Sequence, residues 1–251
     1  MKKLISSIAL VMAASPALAV DATPFFSVYG GVGSWSTEVS GSLGDSSTDV
    51  SELGLSDESN AYFYVAFEHA VPFIPQVRLE RSTISSSGNE TVSDAFVFGG
   101  QSFDADVATE IDIAMTDAVL YYELAMFDFG LTIRQFDAEA SATGEPTGGD
   151  GDSVTESETV DGYLPMLYLQ TKIDLPFTGL YVTGNVNGIS VDGKSVTDYR
   201  AAVGYGIEIS ILAEIGLELG YRAFEIDLGD DEDFAGDIDF SGVYFGANVK
   251  F

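Results

Sequence analysis

Beyond residue 19 the chain has no apolar run near the roughly 20 residues a membrane-spanning helix needs, yet apolar side chains recur at every second position along most of its length. A period of two is the pattern of a strand with two unlike faces. Over 25–39, Phe26, Val28, Gly30 and Val32 fall on one face and Tyr29, Gly31, Gly33 and Trp35 on the other. The same alternation predicts strands over 61–68, 76–84, a segment ending at 118–124, 129–136, 162–172, 180–189, 198–209, 214–227 and 244–251. That makes about ten strands in one domain, with no linker dividing it.

The connections are unequal. Compact apolar turns are expected at 71–75, 126–128 and 174–177, and they alternate with Asp/Ser/Gly-rich segments at 40–59, 85–104, 137–158, 191–194 and 229–233, read as loops. The chain carries 40 acidic and 10 basic residues, a formal charge of −30. This excess excludes nucleic acid as a partner, because phosphate recognition needs clustered Lys and Arg. Cysteine is absent, so no disulfide contributes. Lys2 and Lys3, the apolar run from Leu4 to Met12 and the small residues of Ala17-Leu18-Ala19 predict a secretory signal peptide over 1–19, leaving 20–251 as the folded domain. An exported chain with short turns at one end and long acidic loops at the other reads as a transmembrane antiparallel up-and-down β-barrel, since closed β-structure is the one alternative to helix that satisfies the backbone in lipid. A soluble β-sandwich or lipocalin-like barrel also alternates, but predicts no one-sided distribution of loop length and charge.

The last eight residues, Tyr244-Phe245-Gly246-Ala247-Asn248-Val249-Lys250-Phe251, resemble the C-terminal insertion signal of Gram-negative outer-membrane barrels, with Tyr244, Gly246, Val249 and Phe251 in the characteristic places. At Tyr121-Tyr122-Glu123 and over 130–134 the chain also resembles an uncharacterised family of small proteobacterial outer-membrane barrels. These resemblances imply the fold, an outer-membrane location, and recognition by the barrel-assembly machinery through the C-terminal strand. They imply no activity.

Parity supplies the candidate site. If Leu217, Leu219 and Tyr221 face lipid, then Glu214, Glu218 and Arg222 face the lumen, and the same reasoning turns Arg78, Glu80, Glu123, Arg134, Arg200 and Glu208 inward. A charge facing lipid near mid-membrane costs about 2 to 4 kcal/mol, which enforces this choice. Arg134, Arg200 and Arg222 are expected to pair with Glu123, Glu208 or Glu218. Such a network is either a gated polar channel or a salt-bridged filling, and about ten strands leave room for little beyond side chains. Asp150 and Asp152, and Asp230, Asp231, Glu232 and Asp233, are weak Ca²⁺ candidates without EF-hand or nonapeptide spacing. His69 is the sole histidine, placed by the strand tally at the rim opposite the long loops, and no Gly-x-Ser-x-Gly elbow occurs. A surface hydrolase of omptin-like shape is therefore disfavoured. The expectation is a non-enzymatic outer-membrane protein without cofactor, contacting lipid and lipopolysaccharide and acting structurally or through acidic loops that divalent cations screen, with a narrow pore for ions or small solutes as the alternative.

Overall fold

The computed structural model describes residues 25–43, 48–56, 58–91, 96–210, 213–227 and 237–251. The expected signal peptide and the acidic run at 229–233 lie outside these residues. The described elements are β1 (Phe26–Leu43), β2 (Thr48–Asp49), a 3-10 turn (Val50–Leu53), β3 (Glu58–His69), β4 (Gln76–Thr91), β5 (Phe96–Phe98), β6 (Gln101–Leu124), β7 (Phe127–Pro146), β8 (Val154–Asp174), β9 (Leu180–Val191), β10 (Lys194–Ser210), β11 (Ala213–Asp227) and β12 (Asp237–Lys250). Ten of these strands form a closed antiparallel up-and-down barrel in sequence order, with β2 and β5 as short appendages. Closure is made by β12 on β1, in register from Tyr29↔Lys250 to Gly41↔Ile238. The seam finishes in reciprocal backbone bonds of 3.0 and 2.9 Å between Val28 and Phe251.

The parity read from sequence holds through the lower barrel, the end where Phe26 and Phe251 lie. Phe63, Val65 and Phe67 of β3, Leu131 and Ile133 of β7, and Leu217, Leu219 and Tyr221 of β11 are all exposed on the outside. From Tyr199 to Ile209, at roughly 3.3 Å per residue and a tilt near 45°, this apolar surface rises about 25 Å, the height of a bilayer-spanning band. Exposed aromatics flank it, with Tyr163, Tyr199 and Tyr221 above and Phe26, Phe127 and Phe251 below. A continuous exposed apolar belt of this size is intolerable in water and is the surface of a membrane-spanning barrel.

Above the belt the alternation inverts. In β7 the outward residues change from Leu131 and Ile133 to Gln135, Asp137 and Glu139, while the inward ones change from Thr132 and Arg134 to Phe136, Ala138, Ala140 and Ala142. In β6 the outward Glu110 and Asp112 lie beside the buried Ile111, Ile113 and Met115, whereas lower down Leu120 and Tyr122 point out and Asp117 points in. The upper barrel therefore has a soluble-protein interior, made by Ile111, Ile113 and Met115 with Phe96, Phe98, Phe103, Phe224 and Phe240.

This inversion corrects the expected loops. The segment 137–158 is almost all strand, with only 147–153 connecting β7 to β8, and 85–104 is largely the upper part of β4, β5 and the start of β6. The segment 40–59 also holds strand at both ends, with Asp49 capping the 3-10 turn through the Ser51 amide at 2.9 Å. The Ser51 hydroxyl, and then its amide, hold the Asp49 carboxyl below its usual range. A run with acids on its wet face and small apolar residues on its dry one lacks the hydrophobicity by which a membrane strand is recognised, although its period of two is intact.

Inward glycines have a packing role. The Tyr64 ring covers Gly31 and the Tyr62 ring covers Gly33, each tyrosine lying directly across β1 from its glycine. Such aromatic cover compensates the missing side chain and pins the register. Gly242 has a different constraint: a Cβ there would collide with the Ser36 carbonyl oxygen across the closing seam. Gly242→Val is expected to prevent closure, seen as loss of the compact, heat-modifiable band on cold SDS gels, while Val243→Leu on the outer face leaves that band intact.

Candidate functional site

Four arginines lie inside the barrel at mid-height, on β4, β7, β10 and β11. Register sets Arg200 directly opposite Arg222, a like-charge arrangement that is unfavourable unless carboxylates separate the pair. Two groups of acids do so. Arg222 donates through Nε to Asp198 Oδ1 at 3.0 Å and through Nη2 to Asp198 Oδ2 at 2.8 Å. Arg134 donates to the same Asp198 Oδ2 at 2.7 Å, and forks onto Asp117 with Nε and Nη2 at 2.8 and 2.7 Å. The second group is centred on Glu80, whose two oxygens accept from Arg200 at 2.5 Å and Arg78 at 2.6 Å. Charge-assisted bonds with both oxygens engaged are the arrangement that repays moving ions out of water.

Aromatic faces complete the filling. The Arg222 guanidinium lies 4.6 Å from the Trp35 ring centre and the Arg78 guanidinium 3.7 Å from that of Tyr64. Phe224 stacks on Phe240 at 6.3 Å and meets Phe136 at 6.4 Å just above the ions. Trp35, Arg134, Arg222, Phe224 and Phe240 are each no more than 1 % exposed, so side chains occupy the cross-section at this height. Among the described residues Arg134 Nη1, Arg200 Nε and Trp35 Nε1 have no hydrogen-bond partner.

The structure places Arg78, Glu80, Arg134, Arg200 and Arg222 on the inward face and brings them together. The expected partners are different. Glu218 instead accepts from Tyr181 at 2.9 Å and Asn248 at 2.9 Å, and Glu214 lies 3.7 Å from the half-exposed Lys172. Glu123 is at the lower rim, and Glu208 is exposed on β10 opposite Glu214 at the same end. Each of these glutamates lies too low on its strand to reach the mid-height guanidiniums. Asp117 and Asp198 replace them. Both share the inward parity, and Asp198-x-Arg200 puts opposite charges on one face of one strand, a signal present in the sequence.

Below the ions a cavity of about 240 Å³ faces the lower end, lined by tyrosines and by Glu68, Glu123 and Asp128. Tyr121 donates to Glu68 at 2.7 Å and Gln170 to Asp128 at 3.2 Å. His69 sits at this lower rim opposite Phe26, where its Nδ1 accepts from the Val71 amide at 3.3 Å and Gln76 brackets its backbone. Asp150 and Asp152 are exposed on the turn after β7, while Asp230, Asp231 and Asp233 lie outside the described residues. Among the described residues no three His, Asp or Glu side chains are grouped to hold a metal. In the closing strand Tyr244 and Gly246 face inward, whereas Phe251 is exposed on the apolar belt.

Fold and lumen define an integral β-barrel of the outer-membrane type. No family model matches the chain, and no curated protein matches it in sequence. Among solved structures it is similar to the outer-membrane protease OmpT from Escherichia coli, at 11% identity over 90% of this chain and 96% of that one, with a TM-score of 0.45. It is also similar to the toluene transporter TodX of P. putida, at 8% identity over 90% of this chain and 89% of that one, with a TM-score of 0.27.

Removing Arg222 leaves Asp198 with half its compensation in a dry site, a loss of roughly 3 to 5 kcal/mol. Arg222→Ala is expected to lower the urea midpoint of the refolded barrel, followed through the emission of Trp35, the sole tryptophan. Asp198→Ala, which strands Arg222 and leaves Arg134 with Asp117 alone, is expected to lower it further, and Glu208→Gln at the exposed rim to leave it unchanged.

Proposed function

We propose that this is a non-enzymatic, non-conducting protein of the outer membrane, whose role is to carry an acidic barrel extension at the cell surface for structural or interaction purposes. The observation that carries this reading is the layer of Arg134, Asp117, Asp198 and Arg222 under Trp35, which packs buried, ion-paired side chains across the lumen at mid-height. In this reading both termini are periplasmic, residues 1–19 are the export signal, and the acidic face above the belt looks outward toward lipopolysaccharide, with divalent cations screening the mutual repulsion. The chemistry that supports a non-enzymatic role is that the one histidine is held in a turn by Val71 and Gln76 at the opposite rim.

A narrow pore is the second reading, favoured by the polar cavity of about 240 Å³ beneath the ions. Planar-bilayer recording separates the two. The wild-type protein is expected to give no discrete conductance steps, and so is Arg222→Ala despite its lower stability. Stable unit conductance in the wild type would establish the pore instead.

Phe251 joins the lower aromatic ring and closes the seam to Val28, and in this reading the assembly machinery recognises it. Phe251→Asp is expected to reduce the folded form recovered from outer membranes several-fold without changing total synthesis. Unchanged recovery would rule this recognition out.

A further inference from the structure

The barrel wall is not of even height. β8 pairs with β7 from Thr171 up to Val154, but with β9 only from Asp174 to Leu167. The β9–β10 hairpin turns at Val191 and Lys194, so among the described residues the stretch from Val154 to Met166 has no strand on its second side. This free edge lies above the apolar belt: its outward residues are Thr155, Ser157, Thr159 and Asp161, and the aromatic boundary is reached at Tyr163. An unpaired edge of this length is a template for another extended chain.

The ground beside the edge is chemically graded. Next to Val160, Gly162 and Leu164 a cavity of about 250 Å³ opens, walled by Ile111, Phe136, Val196 and Ile226 and almost free of polar surface. Further up, the inward positions of the same edge are Glu156 and Glu158, the latter exposed. Gly99, which has no side chain, lies against both of them. Two such edges repel each other through these acids, which disfavours pairing with a second copy, and the same charge disfavours the anionic head of a lipid or fatty acid. A cationic chain is attracted.

We propose that the β8 edge binds an extended, basic peptide segment as an added strand, with its cationic side chains beside Glu156 and Glu158 and a bulky apolar side chain in the cavity beside Val160 and Leu164. Backbone bonds to β8 supply the affinity, while the alternate pockets select the sequence. This deepens the surface-interaction reading and rests on it.

The test uses the full refolded barrel in zwitterionic detergent and a short synthetic peptide alternating threonine with Phe, Val, Lys and Lys, an order that runs antiparallel to β8. Hydrogen exchange is expected to be fast at alternate amides over 154–166 in the free protein, and to slow at least tenfold there when the peptide is added. The double variant Glu156→Gln/Glu158→Gln, which keeps the shape of one half-buried and one exposed side chain, is expected to bind about tenfold more weakly with an undiminished urea midpoint. A peptide N-methylated on alternate residues keeps its side chains but cannot pair along an edge, and is expected not to protect β8. Protection by the methylated peptide, or by a neutral dodecyl detergent alone, would show an apolar solute pocket and overturn the proposal. Amides already slow in the free protein, or binding indifferent to the double variant, would overturn it too. Bilayer conductance is read independently, so failure here leaves the closed-lumen reading standing, and a conducting lumen leaves this result interpretable.

Discussion

Asp198 accepts hydrogen bonds from two guanidiniums at the centre of a narrow barrel, and the rest of the interior is arranged around that sharing. Arginine at mid-membrane height has to point inward, because outward it would meet hydrocarbon. Once inside a lumen only a few side chains wide, it must be paired, since an isolated buried ion costs several kcal/mol. Asp198 joins β7 to β11 through Arg134 and Arg222, and Glu80 joins β4 to β10 through Arg200, so strands distant in sequence are tied across the lumen rather than only along the wall. The ties fix strand register and fill the cross-section at once. The filled lumen follows from the electrostatics.

The same wall faces two solvents. Around the belt it is apolar outside and polar inside, and above the belt it is the reverse, with the exchange falling between Ile133 and Phe136 on β7 and between Met115 and Ala118 on β6. Because the side-chain period is two, the exchange requires no bulge or turn at that point: the outward positions simply stop being apolar and the inward ones stop being charged. The ion layer sits at this boundary. It is the floor of a hydrophobic interior and the roof of a polar one.

Much of this was legible in the sequence, for a physical reason. Backbone pleating is local, so alternation puts Trp35 on the face opposite Phe26 and Val28, and Arg222 on the face opposite Leu219 and Tyr221, without knowledge of any neighbour. Strand height is not local. Whether Asp137 and Glu139 begin a loop or continue a strand depends on the interior cluster that Ala138 and Ala140 join, whose members, Ile111, Ile113, Phe224 and Phe240 among them, come from other strands, and sequence spacing does not report it. The identity of the ion partners fails in the same way. Glu218 and Asp198 have equal inward parity, but only Asp198 stands at the height of Arg222, and relative height is set by shear between strands. Asp117 and Asp198 have the same inward parity as the expected glutamate partners, so the alternation itself marks them as candidate partners.

The acidic outer face of the upper wall has a consequence for how the molecule stays where it is. Glu110, Asp112, Asp137 and Glu139 have no route back across a bilayer except through hydrocarbon, each at a cost that compounds with the others. Once the upper wall has closed around its aromatic interior, it acts as a flange wider in charge than the membrane can admit. Passage through the bilayer toward the opposite side is then a matter of rate, because it demands that the flange unfold first.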